Sequence, residues 1–408
     1  MSALATLSIE ECVARARATL DTPLTQIATE WKAAHPGRKV IGWYPVYSPV
    51  ELSHAAGALP LAVIGGGNKI EIANADSRFQ SFVCSIVKST LELAMTGRLA
   101  GFDAMLFHSI CDPARNLASV FRRNFPDLEM EYLHLPQNLA SPGSVPYLEA
   151  EYRRVLSTWT RLTGQDAEAA LPATIRLYNR IRAGMRALYE IRRASPDKLS
   201  TAECYALVRA GTLMPPEEHL GLLTDALAAL KNRPGRAKDR IRIVLEGSYC
   251  EQPPLELIEV LEEAGCYLVE DDFLLGWRFF QRDIAEDGDP VRALADAYVT
   301  RSVYSGIKHD PRENKSQHLL DSAKTHQADA VIILAAKFCE PALFDYALYR
   351  KALDGAGIQH LFLEFEEKMW TFEKIRSEVE TFVESMLFDD RSPRIAQAAV
   401  YPQGATHV

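Results

Sequence analysis

The feature that most constrains the fold is an alternation of short apolar strands with helical segments, which occurs twice along the chain. In the first stretch, the predicted elements are strands at 39–44, 59–64, 103–110 and 129–135 and helices at 50–56, 79–99 and 113–123. In the second stretch, they are strands at 241–245, 266–269, 330–335 and 358–365 and helices at 255–264, 341–353 and 372–387. Strands that alternate with helices of this length indicate βαβ units around a parallel sheet. The sequence therefore predicts an α/β protein with two Rossmann-like or flavodoxin-like parallel-sheet domains.

A helical segment separates the two stretches. Between 147 and 230 the apolar residues recur every three to four positions, as in Tyr152, Val155 and Trp159, and no convincing strand occurs. The predicted organisation is an N-terminal helical extension at 1–36, a first α/β domain at 37–146, a helical insertion or linker at 147–236 and a second α/β domain at 237–408. The ligand is expected at the carboxyl ends of the strands in both domains.

The charge balance excludes some classes of partner. Lys and Arg number 45 against 54 Asp and Glu, a formal net charge of −9 without a dense basic block, so we expect no nucleic-acid partner. No apolar run approaches the roughly 20 residues that cross a bilayer, so no membrane association is expected. The first 20 residues carry Glu10, Glu11, Arg15 and Arg17, which indicates an amphipathic helix rather than a signal peptide. We expect a cytoplasmic protein.

Three cysteines share one local context. Cys111, Cys250 and Cys339 each follow a predicted strand, and an acidic residue and then proline come soon after. A thiolate at such a position is favoured by the helix dipole and by backbone amides. Cys84 is predicted to differ, because it lies one turn inside the helix at 79–99.

Spacing alone does not decide between metal ligation and burial for these cysteines. The chain has seven cysteines, an odd number that argues against a disulfide framework, and it has no CxxC pair. For Cys12, Cys204 and Cys266 we favour the role of a small buried hydrophobic residue.

The remaining motifs leave alternatives open. Gly65–Gly67 lacks the third spaced glycine of a dinucleotide fingerprint, so it is either a flexible turn or a close approach to a ligand, and no phosphate loop occurs. His54 could pack on a helix or donate protons. Glu270, Asp271 and Asp272 follow a predicted strand and could form a metal or general-acid group or an acidic helix start.

Several blocks together resemble the 2-hydroxyacyl-CoA dehydratase D-component family. The residues that carry this resemblance are 41–57, 65–67, 82–84, 107–112 with 115–117, and 338–341. Further blocks are most similar to the ATP-dependent (class I) benzoyl-CoA reductases within that family, and they are 136–138, 214–219, 247–255 and 269–273. The resemblance covers about residues 35 to 385.

The resemblance implies a cofactor and its ligands. Family members have a [4Fe-4S] cluster held by three cysteines between two α/β domains, and the matching positions are Cys84, Cys111 and Cys339. Three cysteines leave one iron with an exchangeable position. Cys250 is not one of the family's ligand positions, although it could line the site.

The resemblance also implies partners and a reaction. Electrons come from reduced ferredoxin through ATP-hydrolysing activator subunits to a heterodimer of this chain with a paralogous subunit, and together these form a heterotetramer. The reductases convert benzoyl-CoA or a related aryl-CoA to the cyclohexadiene product, whereas the dehydratases expel water through a ketyl radical. The alternatives to a reductase subunit are a 2-hydroxyacyl-CoA dehydratase subunit and a metal-free two-lobed binding protein. Glu251, His54 and Asp272 are the candidate proton donors, with Glu251 first.

Overall fold

The computed structural model describes residues 7–45, 47–247, 250–272, 281–301, 310–311 and 314–388. The described strands are β1 Val40–Trp43, β2 Leu59–Ala62, β3 Ala104–His108, β4 Glu129–Leu133, β5 Ile241–Gly247, β6 Cys266–Asp271, β7 Ala330–Ala336 and β8 Gln359–Phe365. The described helices are α1 Ile9–Asp21, α2 Leu24–Ala34, α3 Val50–Ala55, α4 Ser85–Met95, α5 Asp112–Asn124, α6 Ser144–Thr163, α7 Ala167–Ala194, α8 Thr201–Ala210, α9 Pro216–Leu230, α10 Leu255–Glu263, α11 Pro290–Arg301, α12 Lys315–Thr325, α13 Glu340–Ala356 and α14 Glu373–Leu387.

The strands form two four-stranded sheets in which every pairing is parallel. Their orders are β2-β1-β3-β4 and β6-β5-β7-β8, so the prediction of two parallel-sheet domains is confirmed. In each sheet, the chain first adds a strand on one side and then continues on the other side, so the strand order switches between β1 and β3 in the first sheet and between β5 and β7 in the second. A crevice opens at such a switch point beyond the carboxyl ends of the two central strands. The fold therefore offers two equivalent places for a ligand, one in each sheet.

The first sheet and the helical segment share one hydrophobic core. The predicted helical region contains α6 to α9, and the long helix α7 packs on α3 and α9. Residues from the sheet, such as Ile41 and Phe107, belong to the same buried cluster as Trp159 and Leu188 from the helices. The second sheet instead has separate buried clusters on its two faces. None of the described helices combines the length and apolarity that crossing a lipid bilayer requires.

Two predicted boundaries are wrong, and both corrections concern candidate site residues. The helix predicted at 79–99 begins only at Ser85, because Cys84 has an extended backbone with ψ of 146° and so precedes the helix as its N-cap. Phe79, Phe82 and Val83, which lie inside the predicted helix, line a cavity instead. The strand predicted at 266–269 continues to Asp271, so Glu270 and Asp271 lie inside β6 rather than after it.

Some sequence expectations fall on residues outside the described ranges. These are residues 1–6 and 389–408 of the terminal segments, Val46, Ser248 and Tyr249 of the quoted blocks, and Phe273. The described start of the N-terminal helix is Ile9, where Ser8 and Glu11 form a reciprocal capping box.

Candidate functional site

A cavity of about 440 Å³ lies where the carboxyl ends of the central strands of both sheets meet. Four of the seven cysteines line it, and these are Cys84, Cys111, Cys250 and Cys339. All seven cysteines lie in the described residues, and none of them forms a disulfide there. The two domains therefore bring together thiols that are up to 255 positions apart in sequence, from Cys84 to Cys339.

Three of these cysteines occupy the same local position. Cys84, Cys111 and Cys339 are the N-cap residues of α4, α5 and α13. Proline follows within the first two helical positions in α5 and α13, where its missing N–H costs no hydrogen bond. The expectation that Cys84 differs from the other two is wrong. All three side chains lie at the positive end of a helix dipole, which favours an anionic sulfur.

Cys84, Cys111 and Cys339 are partly buried, and Cys250 is buried, in a cavity whose described lining has no basic side chain. Burial raises the pKa of Cys84 well above its ordinary value, and Glu251, Cys111 and Cys339 raise it further. Burial likewise raises the pKa of Cys111 to about 12, against a hydrogen bond from the Ala114 amide that lowers it. No Lys, Arg or His is among the described residues that line the cavity. The Cys84 and Cys111 thiols, whose pKa values are raised, therefore stay protonated at neutral pH unless a metal replaces their protons.

Cys250 lies in the same cavity, on the loop that follows β5. Its thiol is buried and donates a weak hydrogen bond of 3.6 Å to the carbonyl oxygen of Pro45, at the end of the first sheet. Burial raises its pKa well above the ordinary value, and Cys111, Cys339 and Cys84 raise it further. The structure thus places Cys250 beside all three family-matched cysteines.

Glu251 is the candidate proton donor that the structure brings to the cavity. Its carboxylate accepts hydrogen bonds from Ser85 Oγ at 2.6 Å, from the Ile86 amide at 3.4 Å and from the Glu367 amide. Burial raises its pKa to about 8, and the nearby Glu367 carboxylate contributes to the rise. A carboxyl group with this pKa is largely protonated at neutral pH.

Glu367 is a buried acid that sequence reasoning missed. It accepts hydrogen bonds from the Gly67 amide and, at 2.6 Å, from Ser89 Oγ, and burial raises its pKa to about 7. A side chain on Gly65 would overlap this carboxylate, so the Gly65–Gly67 turn approaches Glu367 closely. An available signal was the position of Glu367 just after a predicted strand.

Tyr44 is a second cavity residue that sequence reasoning missed. The predicted strand 39–44 includes it, but β1 ends at Trp43 and the Tyr44 side chain lines the cavity. Burial raises its pKa well above the ordinary value, and Cys250, Cys84 and Cys111 add to the rise. Its position at the end of a central strand was the signal that could have identified it.

The structure does not bring His54 or Asp272 to the cavity. His54 lies on α3, which packs against α7 of the helical segment; its Nε2 is 3.2 Å from Glu217, and its ring meets Tyr178 edge-on at 5.8 Å between centroids. Asp272 follows β6, an edge strand of the second sheet, and its amide donates to the carbonyl oxygen of Leu245. Neither residue is among those that line the cavity.

Glu270 and Asp271 form ion pairs with the helical segment rather than a site for a ligand. Asp271 lies 2.8 Å from Arg192, and Glu270 contacts Arg193 and His326. Burial alone would raise the pKa of Glu270, but the His326 hydrogen bond and the two arginine charges hold it below its ordinary value. These contacts join α7 to β6.

The other cysteines have the buried structural role that we favoured for them. Cys12, Cys204 and Cys266 are fully buried in α1, α8 and β6 and do not line the cavity. Burial raises their pKa values to about 11, 12 and 12 respectively.

The four cavity cysteines do not converge on a single point. In the described part of the chain, no three His, Cys, Asp or Glu side chains converge closely enough to hold one metal ion. The four cysteines instead line one shared cavity. Each cysteine of an iron–sulfur cluster binds a different iron, so its thiolates need not converge on one point. The donor set and the cavity therefore fit such a group.

Comparison with known proteins gives a consistent set of relatives. Residues 45–386 match the family model of the 2-hydroxyglutaryl-CoA dehydratase D-component. The chain is 36% identical over 382 residues to the C subunit of benzoyl-CoA reductase from Thauera aromatica, an alignment that covers 93% of this chain and 99% of that protein. It is 27% identical over 356 residues to lactoyl-CoA dehydratase subunit beta of Anaerotignum propionicum, with coverage of 86% of this chain and 93% of that protein. The (R)-phenyllactyl-CoA dehydratase beta subunit of Clostridium sporogenes is 26% identical over 354 residues, with coverage of 86% and 92%.

Proposed function

The chain belongs to the 2-hydroxyglutaryl-CoA dehydratase D-component family, and from this premise we propose that it is the [4Fe-4S]-containing subunit of an ATP-dependent benzoyl-CoA reductase. Members of the family are enzymes that act on CoA thioesters as multi-subunit complexes. The observation that carries the proposal is the shared cavity in which Cys84, Cys111 and Cys339 meet. The greater identity to the reductase subunit than to the dehydratase subunits, 36% against 27% and 26%, supports the reductase activity.

Cys84, Cys111 and Cys339 are the proposed ligands of the cluster. Their shared N-cap position supports this assignment, because each sulfur lies at the N-terminus of a helix, whose dipole favours negative charge there. The lining also carries acidic side chains at Asp112 and Glu340. Negative charge near a cluster favours its oxidised form and so a low reduction potential. A low potential is what the reduction of an aromatic ring demands.

The proposed reaction adds two electrons and two protons to benzoyl-CoA and yields cyclohexa-1,5-diene-1-carbonyl-CoA. The cluster, when bound, supplies single electrons at low potential. Reduced ferredoxin is the proposed source, through an ATP-hydrolysing activator. This chain carries one set of matched cysteines, so we assign a second cluster to a paralogous subunit in the same complex.

Aromatic side chains form the rest of the proposed substrate surface. Phe79, Phe82, Phe338 and Phe344 line the cavity, and Phe82 and Phe344 are 62% and 74% exposed at its mouth. Exposed aromatic residues at a pocket provide offset-stacked or edge-to-face contacts for another ring. This lining supports an aryl thioester as the substrate.

Glu251 is the proposed proton donor to the ring. It lines the cavity, and its raised pKa of about 8 keeps the proton available at neutral pH. The proton leaves the Glu251 carboxyl group for a ring carbon, and the carboxylate that remains still accepts hydrogen bonds from Ser85 and from the Ile86 and Glu367 amides. The activity should therefore fall as the pH rises above about 8.

The second candidate function is that of a 2-hydroxyacyl-CoA dehydratase subunit, which the 27% and 26% identical relatives favour. The test is anaerobic purification of the chain with its paralogous subunit, followed by iron and sulfide analysis and two assays with activator, ATP and reduced ferredoxin. We expect a brown complex that reduces benzoyl-CoA. Dehydration of a hydroxyacyl-CoA without ring reduction would instead establish the second candidate, and a colourless, iron-free complex would refute both.

The chain should not be active alone. Ring reduction by single electrons calls for two clusters, so the isolated reconstituted chain, given activator, ferredoxin and ATP, is expected to leave benzoyl-CoA unchanged. Turnover by the isolated chain would contradict the proposed need for the paralogous subunit.

A further inference from the structure

Tyr44 is a buried side chain of the cavity whose polar group has no protein partner. The residue is 1% exposed and lines the same cavity as Cys84, Cys111 and Cys339. Its hydroxyl forms no hydrogen bond with any residue that the structure describes, and protein atoms do not enclose it completely as they enclose the hydroxyl of Tyr132. Nearly all buried polar groups in proteins have a hydrogen-bond partner, so we expect a bound group to complete this one.

The first domain holds Tyr44 in a fixed position. Tyr44 is the first residue after β1, a central strand of the first sheet, at the carboxyl end where such sheets bind ligands. Its amide donates to the carbonyl oxygen of Leu106 at 2.9 Å, and its own carbonyl oxygen accepts from Ser48 Oγ at 3.0 Å and from His108 Nε2 at 3.1 Å. Its ring packs against Phe107, with 6.0 Å between the centroids. The sheet therefore sets the position from which the hydroxyl donates.

The other polar side chains of the lining either have protein partners or lie at the mouth. The Cys250 thiol donates to a backbone carbonyl oxygen, and the Glu251 carboxylate accepts three hydrogen bonds. The amide side chains Gln80 and Asn116 belong to exposed residues. Among the described residues at the buried end of the cavity, Tyr44 therefore offers a hydrogen that no protein acceptor uses.

A cluster bound by three thiolates brings negative charge to this hydroxyl. The side chains whose charges act on Tyr44 include Cys250, Cys84, Cys111 and Glu251, all of which line the cavity. No Lys, Arg or His is among the described lining residues, so neutral donors have to stabilise an electron that is added there. Hydrogen bonds to the sulfur atoms of an iron–sulfur cluster are one of the factors that set its reduction potential.

We propose that the Tyr44 hydroxyl donates a hydrogen bond to the [4Fe-4S] cluster that Cys84, Cys111 and Cys339 hold, and thereby raises the reduction potential of this cluster. This inference rests on the proposed function and deepens it. The reduced cluster has one more negative charge than the oxidised cluster, so a hydrogen-bond donor stabilises the reduced form more. Tyr44 keeps its proton throughout. Its effect on the potential is opposite to that of the acidic side chains in the lining.

The test is Tyr44→Phe, which removes the hydroxyl and keeps the ring. The full chain is reconstituted anaerobically with iron and sulfide, and its midpoint potential is measured by a redox titration followed by electron paramagnetic resonance. Electron–nuclear double resonance of the reduced cluster in H₂O and in D₂O then detects the exchangeable protons that are coupled to it. We expect Tyr44→Phe to bind four irons, to have a more negative midpoint potential and to lack one exchangeable proton coupling. At the midpoint potential of the wild type, less than half of its clusters should be reduced.

Tyr132→Phe is the matched control, because it removes a buried hydroxyl from β4 of the same sheet, outside the cavity. It should have the potential and the proton couplings of the wild type. An unchanged potential and unchanged couplings in a Tyr44→Phe chain that binds four irons overturn the inference alone. A reduced wild-type cluster without any exchangeable proton coupling also overturns it, and this measurement does not depend on the folding of a variant. Failure of the wild type to bind a cluster overturns the proposed function as well.

Discussion

The two α/β domains have the same strand order but contribute different chemistry to the cavity. In both, the second strand along the chain is an edge strand and the switch point lies between the first and third strands. The first domain supplies Cys84 and Cys111, both as N-caps of helices. The second supplies one N-cap thiol, Cys339, together with the loop residues Cys250 and Glu251.

The difference teaches that topology fixes where the site lies, whereas the residues at the strand ends fix what it can do. The buried acids of the second domain reach across to amides and hydroxyls of the first. Glu251 bonds to Ser85 and Ile86, and Glu367 bonds to Gly67 and Ser89. The cavity is therefore complete only when both domains are in contact.

The largest expected effect is the loss of a proposed ligand from either domain. Cys111→Ser removes a thiolate of the first domain and Cys339→Ser removes one of the second, and each should leave a folded chain that is deficient in iron and has only background activity. Thiolate ligation supplies much of the binding free energy of a metal group, which explains the loss. Iron analysis and circular dichroism measure the two parts of this expectation.

Matched controls come from buried cysteines outside the cavity. Cys12→Ser and Cys204→Ser should keep the full iron content. If Cys111→Ser retained its iron and activity, Cys111 would not be a ligand. The first domain would then contribute no ligand at the end of β3, and the equivalent N-cap positions of the two domains would not share this role.

The next effect separates the two buried acids of the second domain. Glu251→Gln keeps the shape of the side chain and removes its proton, so the cluster should remain reducible while benzoyl-CoA reduction falls by about 10²–10⁴-fold. Glu367→Gln is the comparison because Glu367 does not line the cavity; it removes a charge that helps raise the pKa of Glu251, so it should shift the pH dependence of activity to lower pH without abolishing turnover. Single-turnover assays after chemical reduction measure the first expectation, and wild-type turnover in Glu251→Gln would eliminate this donor.

A smaller effect is expected on the pH dependence of stability. Burial raises the pKa values of Glu251 and Glu367 to about 8 and about 7, above an ordinary value of about 4.3 in the unfolded chain. Between these values the folded chain retains protons that the unfolded chain releases, so the free energy of unfolding should decrease as the pH rises from about 5 to about 8. Urea unfolding of the cluster-free chain measures this slope. The Glu251→Gln, Glu367→Gln double variant should have a flatter slope. An unchanged slope would show that the raised pKa values of these two acids do not cause the pH dependence of stability.

The smallest effects are expected at the candidate donors that lie outside the cavity. His54→Gln removes a 3.2 Å contact with the exposed Glu217, and such surface contacts are worth about 0–1 kcal/mol in the free energy of unfolding. Both His54→Gln and Asp272→Asn should leave benzoyl-CoA reduction close to the wild-type rate. A loss of activity as large as that of Glu251→Gln at either position would mean that the donor lies outside the cavity.

Local pattern was sufficient for most of the fold but not for the whole site. Strand and helix alternation predicted both sheets, because parallel βαβ units have a clear periodicity. It placed Cys84 inside a helix, because Phe79, Phe82 and Val83 have helical spacing although they line the cavity. Glu367 was not found, since its burial depends on contact with Gly67 and Ser89, 300 and 278 positions away in the chain. The position of Glu367 just after a predicted strand indicates the edge of the sheet, but it does not indicate which residues of the other domain Glu367 contacts.

The central claim is that thiols from both domains hold one [4Fe-4S] cluster in the cavity between them. The most direct test is the determination of iron and acid-labile sulfide in the anaerobically purified full chain, combined with its visible absorbance. The account predicts four irons and four sulfides per chain in the wild type, and a marked loss in both Cys84→Ser and Cys339→Ser. A wild-type chain that contains neither iron nor sulfide after anaerobic purification and reconstitution would contradict it.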